Sequence, residues 1–315
     1  MRMTDRPMIL CRAHAKVNLA LAVAPPRLED GLHPIASWIA SIALVDDLTI
    51  WRLEPDRDSR YAIFWADSAV KRSDIDWSIT KDLAVRAHMA LERETGQRLP
   101  VQLKLEKRIP VGAGLGGGSS DAAATLLAVR DLFDLSIDDH HLCEIGLTLG
   151  ADVPFFLPPQ PGAAAFVSGV GECIERAGAK AQSQLIVVIP ACACSTGAVY
   201  RAFDDIARER SFEEASETIR ALTHAGHVAP ARLYNDLAAP AQRVAPSLQG
   251  AIQEVSAVAG CEAHLTGSGS AIFLCAQADD DVERLAQALQ RSDRLEDCAI
   301  FTTTIVSDGA LDQTA

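Results

Sequence analysis

Between an alternating apolar and polar segment, Val101-Gln-Leu-Lys-Leu-Glu-Lys-Arg108, and an Ala/Leu-rich segment, Asp121 to Asp134, lies Pro110-Val-Gly-Ala-Gly-Leu-Gly-Gly-Gly-Ser-Ser120. Five of the seven positions from Gly112 to Gly118 are glycine. The alternation is the period of a half-buried strand, and the Ala/Leu run has the composition of a helix, so the glycines form a strand-to-helix turn. Without Cβ atoms such a turn can take positive φ and let a ligand approach the backbone, with successive N–H groups aimed at one anion. The start of the following helix adds free N–H groups and a partial positive dipole, which favours phosphate. A tight connection with no ligand is the alternative, and it leaves the cost of so many flexible residues without a return.

What surrounds the turn excludes several nucleotide-binding classes. Gly112-x-Gly114-x-x-Gly117 has dinucleotide-fingerprint spacing, but the acidic residue that fingerprint needs about 20 positions on would fall near Leu132, inside the helix. A P-loop places Lys-Ser/Thr directly after its second glycine, whereas Gly117 is followed by Gly118 and Ser119. No His-Arg-Asp or Asp-Phe-Gly segment follows, which excludes a protein-kinase glycine loop.

Pro-x-Gly-x-Gly-Leu-Gly-Gly-Gly-Ser-Ser-Asp-Ala-Ala resembles the phosphate-binding motif of the GHMP kinases. Four further segments match in family order: Ala15-Lys16-Val17-Asn18-Leu19, Asp30-Gly31-Leu32-His33, Leu147-Thr-Leu-Gly-Ala-Asp152-Val-Pro154 and Leu265-Thr-Gly-Ser-Gly-Ser-Ala271. Within that superfamily the chain is most similar to the branch acting on a cytidine-diphosphate-linked methylerythritol. The resemblance implies a two-domain α+β GHMP kinase fold. Residues 1–160 would form an ATP-binding domain like ribosomal protein S5 domain 2, and residues 161–315 a ferredoxin-like substrate domain with an antiparallel sheet and helices.

Composition is compatible with this. The chain has 315 residues, enough for one large or two ordinary domains, and its 49% hydrophobic and 23% charged content is that of a globular protein. No stretch approaches the ~20 apolar residues of a membrane span, and the first residues lack the apolar core of a secretory signal, so a cytoplasmic enzyme is expected. The eight cysteines lack metal-site spacing and are expected to be reduced and mostly buried. His140-His141 and His224-x-x-His227 read as helix or loop histidines. A net charge of −13 argues against a nucleic-acid partner. Because the proposed ligands are themselves anionic, Lys104, Lys107 and Arg108 are candidates to reverse the local field, or else are solvated strand charges.

Along the chain, extended segments are expected at Met8–Ala24, Trp38–Leu44, Asp47–Leu53, Tyr61–Trp65 and Val101–Arg108, with helices at Ser78–Glu94, Asp121–Asp134 and His140–Leu149. Pro158 to Gly162 marks the domain boundary, though Ala163–Glu175 could pair back to the first domain. Later strands are expected at Gln184–Pro190, Cys261–Thr266, Ala271–Ala276 and Ala299–Val306. Two helical stretches follow the first of these, the second opened by Ser211, and further helices are expected at Leu248–Val258 and Asp279–Arg291. The last residues, Ser307–Ala315, are expected to fray. Helices on one face of an antiparallel sheet suit this order.

Phosphoryl transfer needs a group to accept or orient the hydroxyl proton, a nearby positive charge and a metal to bridge the phosphates. By the resemblance, Asp152 is the catalytic base and Lys16 the catalytic lysine, which would lower the pKa of the substrate hydroxyl by proximity of charge. From spacing alone, Asp152 reads as an ordinary turn aspartate and Lys16 as an edge-strand lysine; the resemblance reverses both readings. Lys16 and Asn18 lie two apart on an extended segment and so share a face. ATP is expected against Pro110, Val111, Gly112, Ala113, Gly114, Leu115, Gly116, Gly117, Gly118, Ser119 and Ser120. Mg2+ is implied by ATP without an assigned ligand residue, although Ser119, Ser120 and Asp121 stand at the helix start.

In the matching branch the tyrosine of Asp-Gly-Tyr-His stacks on cytosine and the histidine bonds it. Here those positions hold Leu32 and His33, so one base stack is lost. Asn18, His33 and Tyr200 are the expected substrate contacts, with His33 as an ordinary turn histidine the competing reading. The partner is then a cytidyl small molecule, with no nucleic acid or membrane, and the chain a monomer or weak homodimer. Another GHMP kinase acting on homoserine or a mevalonate-type acid, or a silent nucleotide-binding regulator, remains open.

Overall fold

In a computed structural model of the protein, residues 7–158, 164–177, 183–206, 210–226, 228, 230–276 and 281–306 are described. The first half contains β1 (Met8–Val23), β2 (Ile35–Arg52), β3 (Arg60–Trp65), α1 (Leu83–Thr95), β4 (Val101–Lys107), α2 (Gly117–Leu132), α3 (Asp139–Leu149), β5 (Ala164–Gly169) and β6 (Cys173–Ala177). The second half contains β7 (Gln184–Ile189), α4 (Thr196–Asp204), α5 (Phe212–Ala225), β8 (Tyr234–Asn235), α6 (Ala238–Val244), α7 (Pro246–Ala259), β9 (His264–Leu265), β10 (Ile272–Cys275), α8 (Val282–Gln290) and β11 (Ala299–Thr304).

The strands form two sheets. The first runs β3-β4-β2-β1-β8, with β5 paired to β2 and β6 to β5; the second runs β11-β7-β10-β9. The second is antiparallel throughout, while the first has parallel pairs at β3/β4 and β1/β8. The expected boundary at 160/161 falls outside the described residues. β5 and β6 belong to the first sheet and β7 opens the second after Ala177, although β8 returns to pair with β1. The terminal segment 307–315 and His227 also lie outside the described residues.

Three apolar layers hold the elements. Leu103, Leu105, Leu91, Leu126 and Phe155 join α1, α2 and α3 to one face of the first sheet. Val17, Leu19, Phe166, Val187 and Phe273 form a core shared by both sheets. Val188, Leu248, Val255 and Leu289 join the far face of the second sheet to its helices.

Several boundaries differ from expectation for local reasons. β2 is one strand where two were expected: its register against β1 shifts between His14 and Ala15, and the bulge absorbs the irregularity without ending pairing. The helix expected from Ser78 starts at Leu83, because the Asp82 carboxylate accepts the Ala84 N–H at 2.9 Å and caps it there. α2 starts at Gly117, four residues before Asp121, since Gly116 at φ +70° turns the chain directly into the helix. The strand expected at Cys261–Thr266 is only His264–Leu265. All eight cysteines are free thiols, but only Cys11, Cys194 and Cys275 are buried, and Cys173 and Cys261 are exposed.

A second shift in β1, between Asn18 and Ala20, changes which side chains share a face. Val17 and Leu19 enter the shared core before it, and Ala20 and Ala22 after it. Lys16, Asn18 and Leu21 are thereby left lining one cavity.

The strand leading to the glycine turn is fixed by a buried charge cluster. Lys107 Nζ donates to Asp46 Oδ2 at 2.7 Å and to Asp121 Oδ2 at 2.6 Å. Asp46 Oδ1 also accepts the backbone N–H groups of Arg108 and Ile109. Burial works against the Lys107 charge, but the Asp121 and Asp46 carboxylates outweigh it and hold the ammonium protonated. Burial pushes the Asp121 carboxyl up, to about 8, against the pull of Lys107. Lys107→Met leaves both carboxylates without their ammonium, and a loss of about 3–5 kcal/mol is expected. Denaturant unfolding measures it, and a loss under about 1 kcal/mol would contradict a structural role for the cluster.

Candidate active site

β1 and the glycine turn meet backbone to backbone. Lys16 N–H donates to Leu115 O at 2.9 Å, and a Cβ on Gly116 would lie 2.8 Å from Lys16 Cγ and 3.4 Å from Phe156 Cζ. A Cβ on Gly114, at φ +79°, would lie 2.5 Å from Thr266 O. Glycine at these positions is therefore required by contact as well as by backbone angle. Ala271 N–H donates to Ala113 O at 3.0 Å, tying the late glycine segment to the same turn.

The Lys16 side chain is almost fully buried, 4% exposed, whereas that of Asp152 is 37% exposed. Lys16 Nζ lies 3.4 Å from Asp152 Oδ2 and donates to Asn18 Oδ1 at 2.6 Å. Asn18 is held in turn: its Nδ2 donates to Ser37 Oγ at 2.9 Å, and its backbone N–H donates to Thr266 Oγ1 at 2.9 Å. Asp152 sits in the turn after α3, where Val153 N–H bonds Gly150 O at 3.1 Å and Pro154 opens a short 3-10 turn. Residues far apart in sequence thus place an ammonium and a partly open carboxylate side by side.

Two cavities flank the glycine turn. One, of about 840 Å3, is lined by Lys16, Asn18, His33, Asp152 and Tyr200, together with Gly114, Gly116 and Ser119. The other, of about 480 Å3, is lined by residues 109–119 with Trp77, Lys81, Leu83 and Lys107. Gly114, Gly116, Ser119 and Thr196 face both. The first-turn N–H groups of α2, at Gly117, Gly118 and Ser119, precede its first helical bond, Ser120 N–H to Gly116 O at 2.9 Å. They make a helix start of the kind that suits an anion, beside the two cavities.

Ser120 lines neither cavity; its side chain is buried and its Oγ has no partner among the described residues. Asp121 lines neither cavity; its Oδ2 accepts from Lys107, and its buried Oδ1 has no hydrogen-bond partner among the described residues. Lys104 pairs with Glu106, and Arg108 with Asp47 and Glu106, so neither is a spare charge for the phosphates. His140 is exposed and faces Glu144, and His141 is half-buried and faces Glu94.

In the same larger cavity, the His33 and Tyr200 rings lie 5.0 Å apart between centroids, tilted by 47°. His33 Nδ1 is 2.9 Å from Ala24 O, which fixes a proton on Nδ1, and Nε2 is 3.6 Å from Asp204 Oδ1. Burial, with Asp152 nearby, pushes the Tyr200 hydroxyl up to about 12. Leu32 lines the same cavity and is 49% exposed. Sequence reasoning missed Trp77, Lys81, Thr196 and Arg201, for which no spacing gives a signal. It noted the segment of Thr266 without foreseeing that this hydroxyl would lock Asn18.

The GHMP kinases N terminal domain profile matches residues 82–158, spanning α1 to the Asp152 turn. The 4-diphosphocytidyl-2-C-methyl-D-erythritol kinase of Desulfitobacterium hafniense is 33% identical, covering 87% of this chain and 89% of the relative. That of Delftia acidovorans is 37% identical over 83% and 84%. The chain belongs to the GHMP kinase family. A crystal structure of a 4-(cytidine 5'-diphospho)-2C-methyl-D-erythritol kinase superposes with TM-score 0.69 at 33% identity, covering 94% of this chain and 98% of the other. A homoserine kinase from Cytophaga hutchinsonii reaches TM-score 0.69 at 12% identity over 99% and 98%, a likeness of fold alone. The protein is accordingly a GHMP small-molecule kinase with the family's two-domain α+β fold. Among the described residues no helix is long and apolar enough to cross a membrane.

Gly116→Ala puts a methyl group against Lys16 Cγ in a backbone conformation that alanine resists. Turnover is expected to fall about a hundredfold through displacement of Lys16. The stability loss should be only about 1–3 kcal/mol. Steady-state kinetics beside a thermal melt measures both, and full turnover would contradict the close approach.

Proposed function

We propose that the protein transfers the γ-phosphoryl group of ATP to the 2-hydroxyl of 4-diphosphocytidyl-2-C-methyl-D-erythritol. The observation that carries this reading is one cavity lined by Lys16 and Asp152, by Gly114, Gly116 and Ser119 of the glycine turn, and by the His33–Tyr200 pair. A substrate with a base at one end and a hydroxyl at the other would use both groups. The two relatives named above carry this activity in their names.

In this reading ATP occupies the smaller cavity, with its terminal phosphates against the amides at Gly117, Gly118 and Ser119. Asp152 takes the proton of the attacking hydroxyl as the new O–P bond forms, and the bond from the γ-phosphorus to the bridging oxygen breaks, releasing ADP. Lys16 holds the developing alkoxide by charge, and Asn18 fixes the ammonium where it is needed. No group of three metal-binding side chains exists among the described residues. The oxygen donors Ser119 and Asp152 nonetheless fit Mg2+, which takes one or two protein oxygens plus phosphates. Bound there, the ion would neutralise phosphate charge during transfer. The first sheet with α1 to α3 is read as the S5 domain 2-like ATP-binding unit and the second sheet as the ferredoxin-like substrate unit.

Cytosine would lie between Leu32 and Tyr200, with the His33 ring at its polar edge. Leu32→Tyr restores a base stack, and a gain of about 1–3 kcal/mol in binding the cytidyl substrate is expected by calorimetry. Unchanged affinity would contradict the placement of the base.

Turnover with magnesium-ATP against the cytidyl substrate, homoserine and mevalonate decides the acceptor, and only the first is expected to react. Asp152→Ala should lower kcat by about 10²–10⁴-fold with ATP affinity nearly unchanged. Retained turnover in that variant would remove Asp152 from the chemistry.

A further inference from the structure

We propose that Arg201 recognises the diphosphate of the substrate, an inference that rests on the cytidyl reading above. The larger cavity has four side chains of fixed charge in its lining: Lys16, Asp152, Arg201 and Asp204. Lys16 is committed to Asp152 and Asn18, and Asp204 faces His33. Arg201 has no hydrogen-bond or ion-pair partner among the described residues, although Asp204 and Asp205 stand three and four positions further along the chain.

Its placement fits a phosphate contact. Arg201 follows Tyr200 on α4, and its side chain folds back over the first turn of the helix, where a Cβ on Gly197 would lie 3.4 Å from Arg201 Nη1. That turn also carries Thr196, whose Oγ1 is 2.9 Å from Ser268 Oγ and which faces both cavities. The guanidinium therefore stands beside the expected base ring and toward the glycine turn. In a cytidine-diphosphate-linked substrate the diphosphate joins the base end to the reacting end, so it must cross this stretch.

Charge makes the contact necessary. The chain carries a net charge of −13, and Lys16 is already neutralised by Asp152. Two added phosphates need a cation that is not spent inside the protein. A guanidinium supplies one with a planar fork that matches phosphate oxygens two at a time, which the point charge of a lysine cannot do.

Titration calorimetry of cytidine and CDP into the full-length protein, with the smaller cavity saturated by a non-hydrolysable ATP analogue, tests this directly. The wild type is expected to bind CDP at least about tenfold more tightly than cytidine, the gain of a charge-assisted contact. In Arg201→Gln that preference should fall to within about twofold while cytidine affinity stays as it was, and Arg201→Lys should keep part of the preference. If Arg201→Gln retains the full preference for CDP, or weakens cytidine and CDP equally, the inference is overturned and the cytidyl reading stands. Equal binding of cytidine and CDP by the wild type also overturns it. Failure of the wild type to bind either removes the cytidyl reading and this inference with it.

Discussion

The site depends on how closely β1 approaches the glycine turn. The hydrogen bond from Lys16 N–H to Leu115 O at 2.9 Å sets the distance, and the missing Cβ of Gly116 leaves room for the lysine stem. A buried ammonium is costly unless it is paired, and Lys16 meets that demand through Asn18 Oδ1 and Asp152. The same contacts that make its burial tolerable aim it at the end of the turn. Packing and chemistry therefore rest on one arrangement.

Two supports hold that arrangement from opposite sides. Beneath the turn, the Lys107 cluster ties β4 and α2 to β2, so the strand entering the turn and the helix leaving it share one buried anchor. Above it, the segment after β9 closes over Asn18 through Thr266 and over the turn through the Ala271 N–H to Ala113 O bond. Asn235 Nδ2 fastens this segment by bonding Leu265 O at 2.9 Å and Gly267 O at 2.8 Å. Through these bonds the second half of the chain becomes part of the site wall.

Much of this was legible in the sequence, and the reasons differ by residue. The glycine turn announces itself because close backbone approach and positive φ restrict composition to glycine. Lys16 and Asn18 share a face because strand geometry alternates, yet the bulge that brings Leu21 beside them leaves no compositional trace. Their meeting with Asp152 and Tyr200 is a long-range contact that periodicity cannot supply; resemblance of motifs supplied the expectation. Charge was the least readable property. Lys104, Lys107 and Arg108 look alike as basic residues before the turn, but each is engaged by an acid from another segment or its own strand. Arg201, which no motif marks, is left without such a partner among the described residues.

The most direct test of the account is a crystal structure with a non-hydrolysable ATP analogue and magnesium. The terminal phosphate is predicted against the Gly117–Ser119 amides, facing Lys16 and Asp152 across the opening between the cavities, with its oxygens at hydrogen-bond distance, about 3 Å, from those amides. A nucleotide bound elsewhere, or one whose terminal phosphate points away from Lys16, would contradict it.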